Sequence, residues 1–415
     1  MNTEASTAGK GRAMAEGLSV GLAPSTLAST EALVPALMDF LTQDGCSDEQ
    51  FNAMALRVFV HQYMHNAPLR RFCQGRGMTP RRVRHWHEIP AVPINAFKEL
   101  TLSCEPTEAC ARVFMTSGTT QAEVKGRHHH PTLAVWDLSM RRGFERFFMQ
   151  AHRPGEAAGD AWAPTAASAA LTESPALLEE PAPVPMAMLF PPEEELGNSS
   201  LARYLSQALR LFGGPGSGHF VSTQGMDLPG LMEFLVRAEA GGEPVALLGA
   251  SYAFVHLLDA LAAQGRRIQL PAGSRLLDTG GYKRQSRELA LDDFYEQLAR
   301  ALGIPRTHCI NMYGMTELSS QFYDTGNATV PSVKRSMHWI RSRVVDPLTG
   351  AEVPRGQVGV LVHCDLASFN STTNILTEDL GVAVDGGFQL LGRAEGAQAR
   401  GCSLAVQAFL QGARG

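Results

Sequence analysis

Apolar residues recur at helical spacing through residues 47–73, with Phe51, Met54, Leu56, Val58, Phe59 and Tyr63 on the repeat. Ser47 with Gln50 three residues on forms a capping-box signature, so Ser47 is the expected N-cap. Residues 89–100 carry Pro90 and Pro93, which rules out a regular helix and predicts an extended entry into the next unit. The short β-prone run 113–115 leads directly into Thr116-Ser117-Gly118-Thr119-Thr120 and then Lys125-Gly126, a strand feeding a hydroxyl-rich loop. Residues 131–150 read as an amphipathic helix through Leu133, Trp136, Leu138, Met140, Phe144 and Phe147.

Farther on, short apolar runs at 186–190, 245–248, 275–277 and 309–312 alternate with helical stretches at 201–212, 228–240, 252–264 and 292–302. That alternation predicts an α/β domain with a substantially parallel sheet. From residue 344 the pattern changes to β-type runs, at 358–362, 382–384 and 388–391, separated by glycine-rich turns. Residues 1–30 read as a loose, disordered tail, and 151–185, crowded with Ala, Pro and Glu, as a mobile insertion. Residues 31–390 would then form the main domain and 391–415 a short tail. No internal repeat is present.

With 44% hydrophobic residues over 415 positions, the chain has ample material for such a domain. A formal net charge of -5, without a long basic run, argues against nucleic acid as partner. The amino terminus lacks the basic and apolar blocks of a secretion signal, and no window approaches the roughly 20 apolar residues of a membrane span. A cytoplasmic protein with small-molecule chemistry is the expectation. The seven cysteines contain no C-x-x-C pair, so neither a disulfide framework nor a zinc ribbon is indicated.

Four groups of residues carry candidate chemistry. The loop 116–120, with Gly118 for close backbone approach and Lys125 for charge, suits a polyphosphate but lacks the Walker spacing. Asn311-Met312-Tyr313-Gly314-Met315-Thr316-Glu317 sets an aromatic ring, a hydroxyl and a carboxylate at a strand end, where open α/β sheets bind ligands; the ring could face adenine and the carboxylate could hold magnesium. Thr377-Glu378-Asp379-Leu380 offers a carboxylate for two ribose hydroxyls, and Leu391-Gly392-Arg393 a cation for phosphate or carboxylate.

In order, these groups resemble the motifs of the adenylate-forming superfamily of acyl-CoA synthetases, peptide-synthetase adenylation domains and luciferases. Its T-S-G-T-T-G-x-P-K-G loop is matched at 116–126, its Y-G-x-T-E at 313–317, its T-G-D at 377–379 and its G-R at 392–393. Within it the chain is most similar to the acyl-protein synthetase (LuxE-type) branch, through Phe59-Val60-His61-Gln62-Tyr63, Ile89-Pro90-Ala91-Val92-Pro93 with Phe97-Lys98, Thr279-Gly280-Gly281-Tyr282-Lys283, residues 313–324 and 376–381, and Arg400-Gly401-Cys402-Ser403-Leu404. The resemblance implies an α/β, adenylate-forming-enzyme-like large amino-terminal domain with mixed sheets. It implies ATP and Mg2+ as cofactors, with Thr116, Ser117, Gly118, Thr119, Thr120 and Lys125 on the phosphates, Tyr313 and Gly314 near adenine, Thr316 and Glu317 serving phosphate and metal, Asp379 holding ribose and Arg393 at an interdomain hinge.

Two departures touch this pattern: Gln121-Ala122-Glu123-Val124 replaces Gly-x-Pro with one residue extra, and Glu378 stands where the motif has Gly. Relatives also continue into a further domain with a catalytic lysine, so the carboxy-terminal domain is expected to be truncated to the tail 391–415. Lys125, or magnesium alone, would replace that lysine. By the same resemblance Cys402 takes the acyl group as a thioester, and a flexible, partly exposed setting beside Arg400 would favour its thiolate.

The expected activity is ATP-dependent conversion of a carboxylic acid, of the fatty class, to acyl-AMP, then transfer to Cys402 for an acyl reductase or another thiol acceptor. The rivals are a coenzyme A ligase acting on acyl or aryl acids and a non-catalytic nucleotide-binding subunit. Ser251, Tyr252 and 280–282 are candidate pocket lining. His363 and Cys364, adjacent on a strand, point to opposite faces and do not suggest a catalytic pair. The tract His128-His129-His130 reads as a solvated turn.

Overall fold

A computed structural model describes residues 29–117, 124–150, 181–282 and 285–414. The segment read as a loose tail therefore lies almost wholly outside the described residues, as does the insertion up to residue 180.

The chain enters through α1 (Thr30–Thr42), α2 (Asp48–His65) and α3 (Ala67–Gly75). Ser47 caps α2 in a complete capping box with Gln50, as its sequence predicts. The single helix expected over 47–73 is instead two, because Pro68 cannot donate to the Met64 carbonyl, and Arg70 Nη1 reaches back to that carbonyl at 2.8 Å. Asn66 ends α2 and caps α3 through its side chain. A two-residue strand, β1 (Val92–Pro93), and a single helical turn, α4 (Ala96–Glu99), follow from the proline-marked stretch.

Next, β2 (Arg112–Met115) and β3 (Arg127–His130) pair antiparallel, followed by α5 (Ala134–Phe144). The histidine tract is thus a strand and not a solvated turn: His128 and His130, two apart, share the buried face and pack on Phe97, Phe114 and each other.

Three layers come from β4 (Met186–Leu189), α6 (Ser200–Phe212), β5 (Gly218–His219), β6 (Val221–Ser222), β7 (Gly225–Met226), α7 (Leu228–Gly241), β8 (Ala246–Ala250), α8 (Ser251–Ala263), β9 (Arg275–Thr279), α9 (Leu291–Leu302) and β10 (Cys309–Tyr313). Strands β10, β9, β8, β4 and β5 are parallel neighbours, and β11 (Phe322–Tyr323) closes that sheet antiparallel on β10. One face buries Leu189, Leu247 and Leu276 under α7, α8 and α9; the other buries Met188, Leu248, Leu277 and Ile310 in the larger core. The predicted parallel α/β sheet is present, with β4, β8, β9 and β10 each within two residues of their expected limits and β5 and β11 added at its edges.

A second six-stranded sheet runs β12 (Val333–Lys334), β16 (Gly387–Arg393), β15 (Asn374–Val384), β14 (Val358–Asp365) and β13 (Ile340–Val345), with β1 added parallel to β15. The residues expected to be a short tail form the end of β16 and a 19-residue helix, α10 (Gly396–Arg414). Cys402, Phe409 and Ala413 are buried on its inner face, and Phe409 meets Phe72 of α3 with ring centroids 4.5 Å apart. Gly401 permits this docking, since a Cβ there would lie 2.9 Å from Pro347.

Candidate active site

Tyr313 ends β10 at the carboxyl edge of the parallel sheet, and the turn after it carries Glu317. Asp365, fully buried at the end of β14, holds that turn in place. Its Oδ2 accepts from the backbone N–H of Ser319 (2.8 Å) and Ser320 (2.9 Å), and its Oδ1 from the Ser320 hydroxyl (2.7 Å). On the opposite side His128 Nδ1 donates to the Thr316 carbonyl at 3.0 Å, which leaves Nε2 to accept from Ser371 Oγ at 3.0 Å. Burial pushes His128 down to about 4, so the ring stays neutral as this tautomer requires.

Glu317 is 3% exposed. Burial raises its carboxyl from 4.5 to about 7; its own backbone N–H and the charges of Arg393 and Lys98 pull the other way, and Asp379 adds to the rise. The hydroxyl loop begins and ends beside it. Thr116 N donates to the Gly126 carbonyl (3.0 Å) and Gly126 N to Thr116 Oγ1 (2.9 Å), which closes the base of the loop. A Cβ on Gly126 would stand 3.1 Å from Glu317 Oε1 and 3.2 Å from Thr116 Cγ2, so a glycine is required where the loop's exit passes the carboxylate. Ser117 and Lys125 are exposed next to this base, while Gly118, Thr119 and Thr120 lie outside the described residues. Gly314 is exposed and Thr316 half-buried at the same edge.

The second sheet supplies the remaining side. Tyr313 OH donates to Asp379 Oδ2 at 2.7 Å, and Arg393 reaches Asp379 Oδ1 at 3.3 Å and Glu378 Oε2 at 3.1 Å. Asp379 is raised by burial against the pull of Arg393 and Tyr313. Its oxygens are thus engaged and not free, although a carboxylate has further acceptor capacity for a diol. The Tyr313 ring packs among Phe322, His363 and Phe388, so its hydroxyl, more than an open ring face, is what it presents. His363 accepts or donates at Ser342 Oγ (2.8 Å), apart from Cys364, in keeping with opposite strand faces.

Cys402 departs from expectation. It sits on α10, 3% exposed, with Sγ 3.8 Å from the Thr377 carbonyl. Burial first, then the Glu378 charge, pushes the thiol up to about 11. The setting is covered and favours the protonated thiol, because the expected tail is a docked helix. Cys402 lines a narrow crevice with Asn95, Thr377, Glu378 and Val406, on the side of β15 where Glu378 meets Asn95 Nδ2.

Reading the sequence for motifs missed Lys98, Asn95 and Asp365 as site neighbours. It also missed the buried polar run 365–374, whose Ser368-Phe369-Asn370-Ser371-Thr372-Thr373-Asn374 composition resembles an exposed loop.

This fold, with its paired sheets and converging loop, carboxylates and arginine, is that of the adenylate-forming ligases. The chain aligns with 2-hydroxyisobutyryl-CoA ligase in its postadenylation state, in complex with 2-HIB-AMP, at a TM-score of 0.58 and 15% identity over 83% of this chain and 67% of that one. The same ligase in its thioesterification state gives a TM-score of 0.56 at 16% identity. Residues 220–410 match the family described as acyl-protein synthetase, LuxE. Long-chain-fatty-acid–luciferin-component ligases of Vibrio harveyi and Aliivibrio fischeri are each 25% identical, over 167 and 166 residues. Each alignment covers 39% of this chain and 42% of the relative, so the chain spans under half the length of the curated relatives it matches. Among the described residues no helix is long and apolar enough to cross a membrane.

Proposed function

We propose that the chain activates a carboxylic acid with ATP and passes the acyl group to a thiol. The observation that carries this reading is the convergence of the Thr116–Gly126 loop base, Glu317, Tyr313, Asp379 and Arg393 at one sheet edge. In the first half-reaction a carboxylate oxygen attacks the α-phosphorus, the bond to the bridging oxygen breaks, and pyrophosphate leaves. Thr116, Ser117, Gly118, Thr119, Thr120 and Lys125 would bind the phosphates, with Gly314 and Thr316 beside them. Asp379, oriented by Tyr313, would hold the ribose, and Arg393 would face the charge that develops.

A magnesium ion would fit Glu317, whose carboxylate stands beside the base of the Thr116–Gly126 loop, because this ion is commonly held by one or two carboxylates together with substrate phosphates. Bound there it would neutralise phosphate charge.

In the second half-reaction the Cys402 sulfur attacks the acyl carbonyl, the bond to the AMP phosphate oxygen breaks, and the thiol proton passes to solvent. Cys402 must first leave its crevice; Gly392 and Gly396, with φ of 111° and 56°, flank the connection on which α10 would turn. An acyl reductase or another thiol acceptor would then collect the acyl group. All seven cysteines are free, which supports a reducing, cytoplasmic setting.

The burial of Cys402 favours a second reading, in which coenzyme A or another free thiol takes the acyl group directly. Acid-dependent exchange of labelled pyrophosphate into ATP tests the activation step. Cys402→Ser with exchange retained and protein-bound acyl label lost supports the covalent carrier; undiminished coenzyme A thioester formation by that variant supports the second reading. No exchange with any acid would return the chain to a nucleotide-binding role.

A further inference from the structure

The carboxyl edge of the parallel sheet forms an ordered row. Met312 pairs with Thr279, Thr279 with Ala250, and Gly249 with Leu189, so Tyr313, Gly280, Ser251 and Pro191 follow one another across it. Ser251 Oγ, which donates to Asp278 Oδ2 at 2.8 Å, also lies 3.2 Å from the Thr279 carbonyl and fixes the start of α8 against the end of β9.

Beyond the row, between α8 and the β6–β7 hairpin, opens a pocket of about 670 Å3. That volume is within the usual range for small-molecule sites. Its wall combines apolar Val221, Met226 and Ala253 with Tyr252. Its outer part carries His256, Gln224 and Gln285, which are donors and acceptors of hydrogen bonds. In the row Gly280 falls between Ser251 and Tyr313, with Gly281 next along the chain, and over both a Cβ would meet nothing within 4 Å.

Resting on the adenylation reading, we infer that this pocket takes the tail of the acid, and that the acid carries a hydrogen-bonding group, such as a hydroxyl, at the end far from its carboxylate. Two strand spacings separate Tyr313 from Ser251, about 10 Å, and five residues of helix lead on to His256, about 7 Å more. A chain of dodecanoate length spans that distance. Its carboxylate would lie at the Glu317 end, its middle over the two glycines, and its terminal hydroxyl among His256, Gln224 and Gln285.

Pyrophosphate exchange by the full chain tests this with two matched pairs: dodecanoate against its terminal hydroxy derivative, and butanoate against its own. The hydroxylated long acid is expected to exceed dodecanoate in kcat/KM by about tenfold, the worth of one well-made hydrogen bond. The butanoate pair, too short to reach, is expected to show no preference. Replacing His256→Leu together with Gln224→Leu should erase the long-chain preference. Gly281→Leu, whose Cβ has no atom within 4 Å and which has no positive φ, should lower exchange with both long acids and spare the short ones. Equal rates for the long pair, or a preference that survives the double variant, overturns the inference while leaving adenylation standing. Absence of exchange with all four acids overturns both.

Discussion

Replacing Glu317 with Gln should stabilise the protein at neutral pH while abolishing its chemistry. The carboxyl is raised from 4.5 to about 7, chiefly because burial penalises its charged form. Below pH 4.5 it is protonated in folded and unfolded chains alike, so it contributes no cost. As pH climbs from 4.5 through about 7, the unfolded chain ionises while the folded chain resists, and stability is lost; beyond that the loss is complete. At about 1.4 kcal/mol for each pH step, that window corresponds to about 3 kcal/mol. Gln keeps the shape and never ionises, so the variant should match the wild type near pH 4 and exceed it by about 3 kcal/mol near pH 8. Denaturant unfolding across a pH series reads this directly. Parallel stability profiles for the two proteins would refute the assignment of a buried, strained carboxylate, and pyrophosphate exchange retained by the variant would refute its role.

Gly126→Ala should lower exchange about tenfold or more with a stability loss of about 1 kcal/mol, since the added methyl must displace Glu317 or Thr116 by a few tenths of an ångström; kinetics and thermal melting check the two parts. Tyr313→Phe removes the donor to Asp379 and should reduce kcat/KM for ATP about tenfold, measured by the same exchange assay. Asp365→Ala leaves the buried N–H groups of Ser320 and Ala367 without their acceptor, and that of Ser319 with Ser368 Oγ alone, and should destabilise by about 3–5 kcal/mol in urea titration. Alkylation of Cys402 should be slow at pH 8, because its thiol is covered and pushed up to about 11, and should quicken when acid and ATP are added if α10 undocks. Mass spectrometry of the modified peptide would show no such change if the helix stays in place.

Much of the fold was legible because the alternation of apolar runs and amphipathic helices is a local signal. Strands β4, β8, β9 and β10 and helices α6 to α9 lie where their periodicity puts them. The site was legible through motifs whose residues must be of one type: Gly126 because a Cβ collides, Glu317 and Asp379 because they carry charge. What escaped depends on contacts distant in sequence. His128 reads as polar, yet its two nitrogens meet Thr316 and Ser371, so a strand can bury it. The hydroxyl-rich run at 365–374 reads as a loop because nothing local tells that Gln62 and Asn66 will satisfy its backbone. Gly401 and Gly412 disguise α10, whose inner positions 402, 406, 409 and 413 follow helical spacing, and so disguise the covering of Cys402.

The limits of family likeness are not limits of folding. Gln62 Nε2 donates to the carbonyls of Ser368 and Phe369, Gln62 Oε1 accepts from Thr373 N, and Asn66 Nδ2 donates to the Ser371 carbonyl. Strand β1 hydrogen-bonds along β15, and α10 rests on α3. A fragment cut to 220–410 would therefore leave the buried carbonyls of Ser368, Phe369 and Ser371 and the N–H of Thr373 without these partners. The stretch that matches the family thus depends for its solidity on residues that precede it, above all α2, α3 and β1.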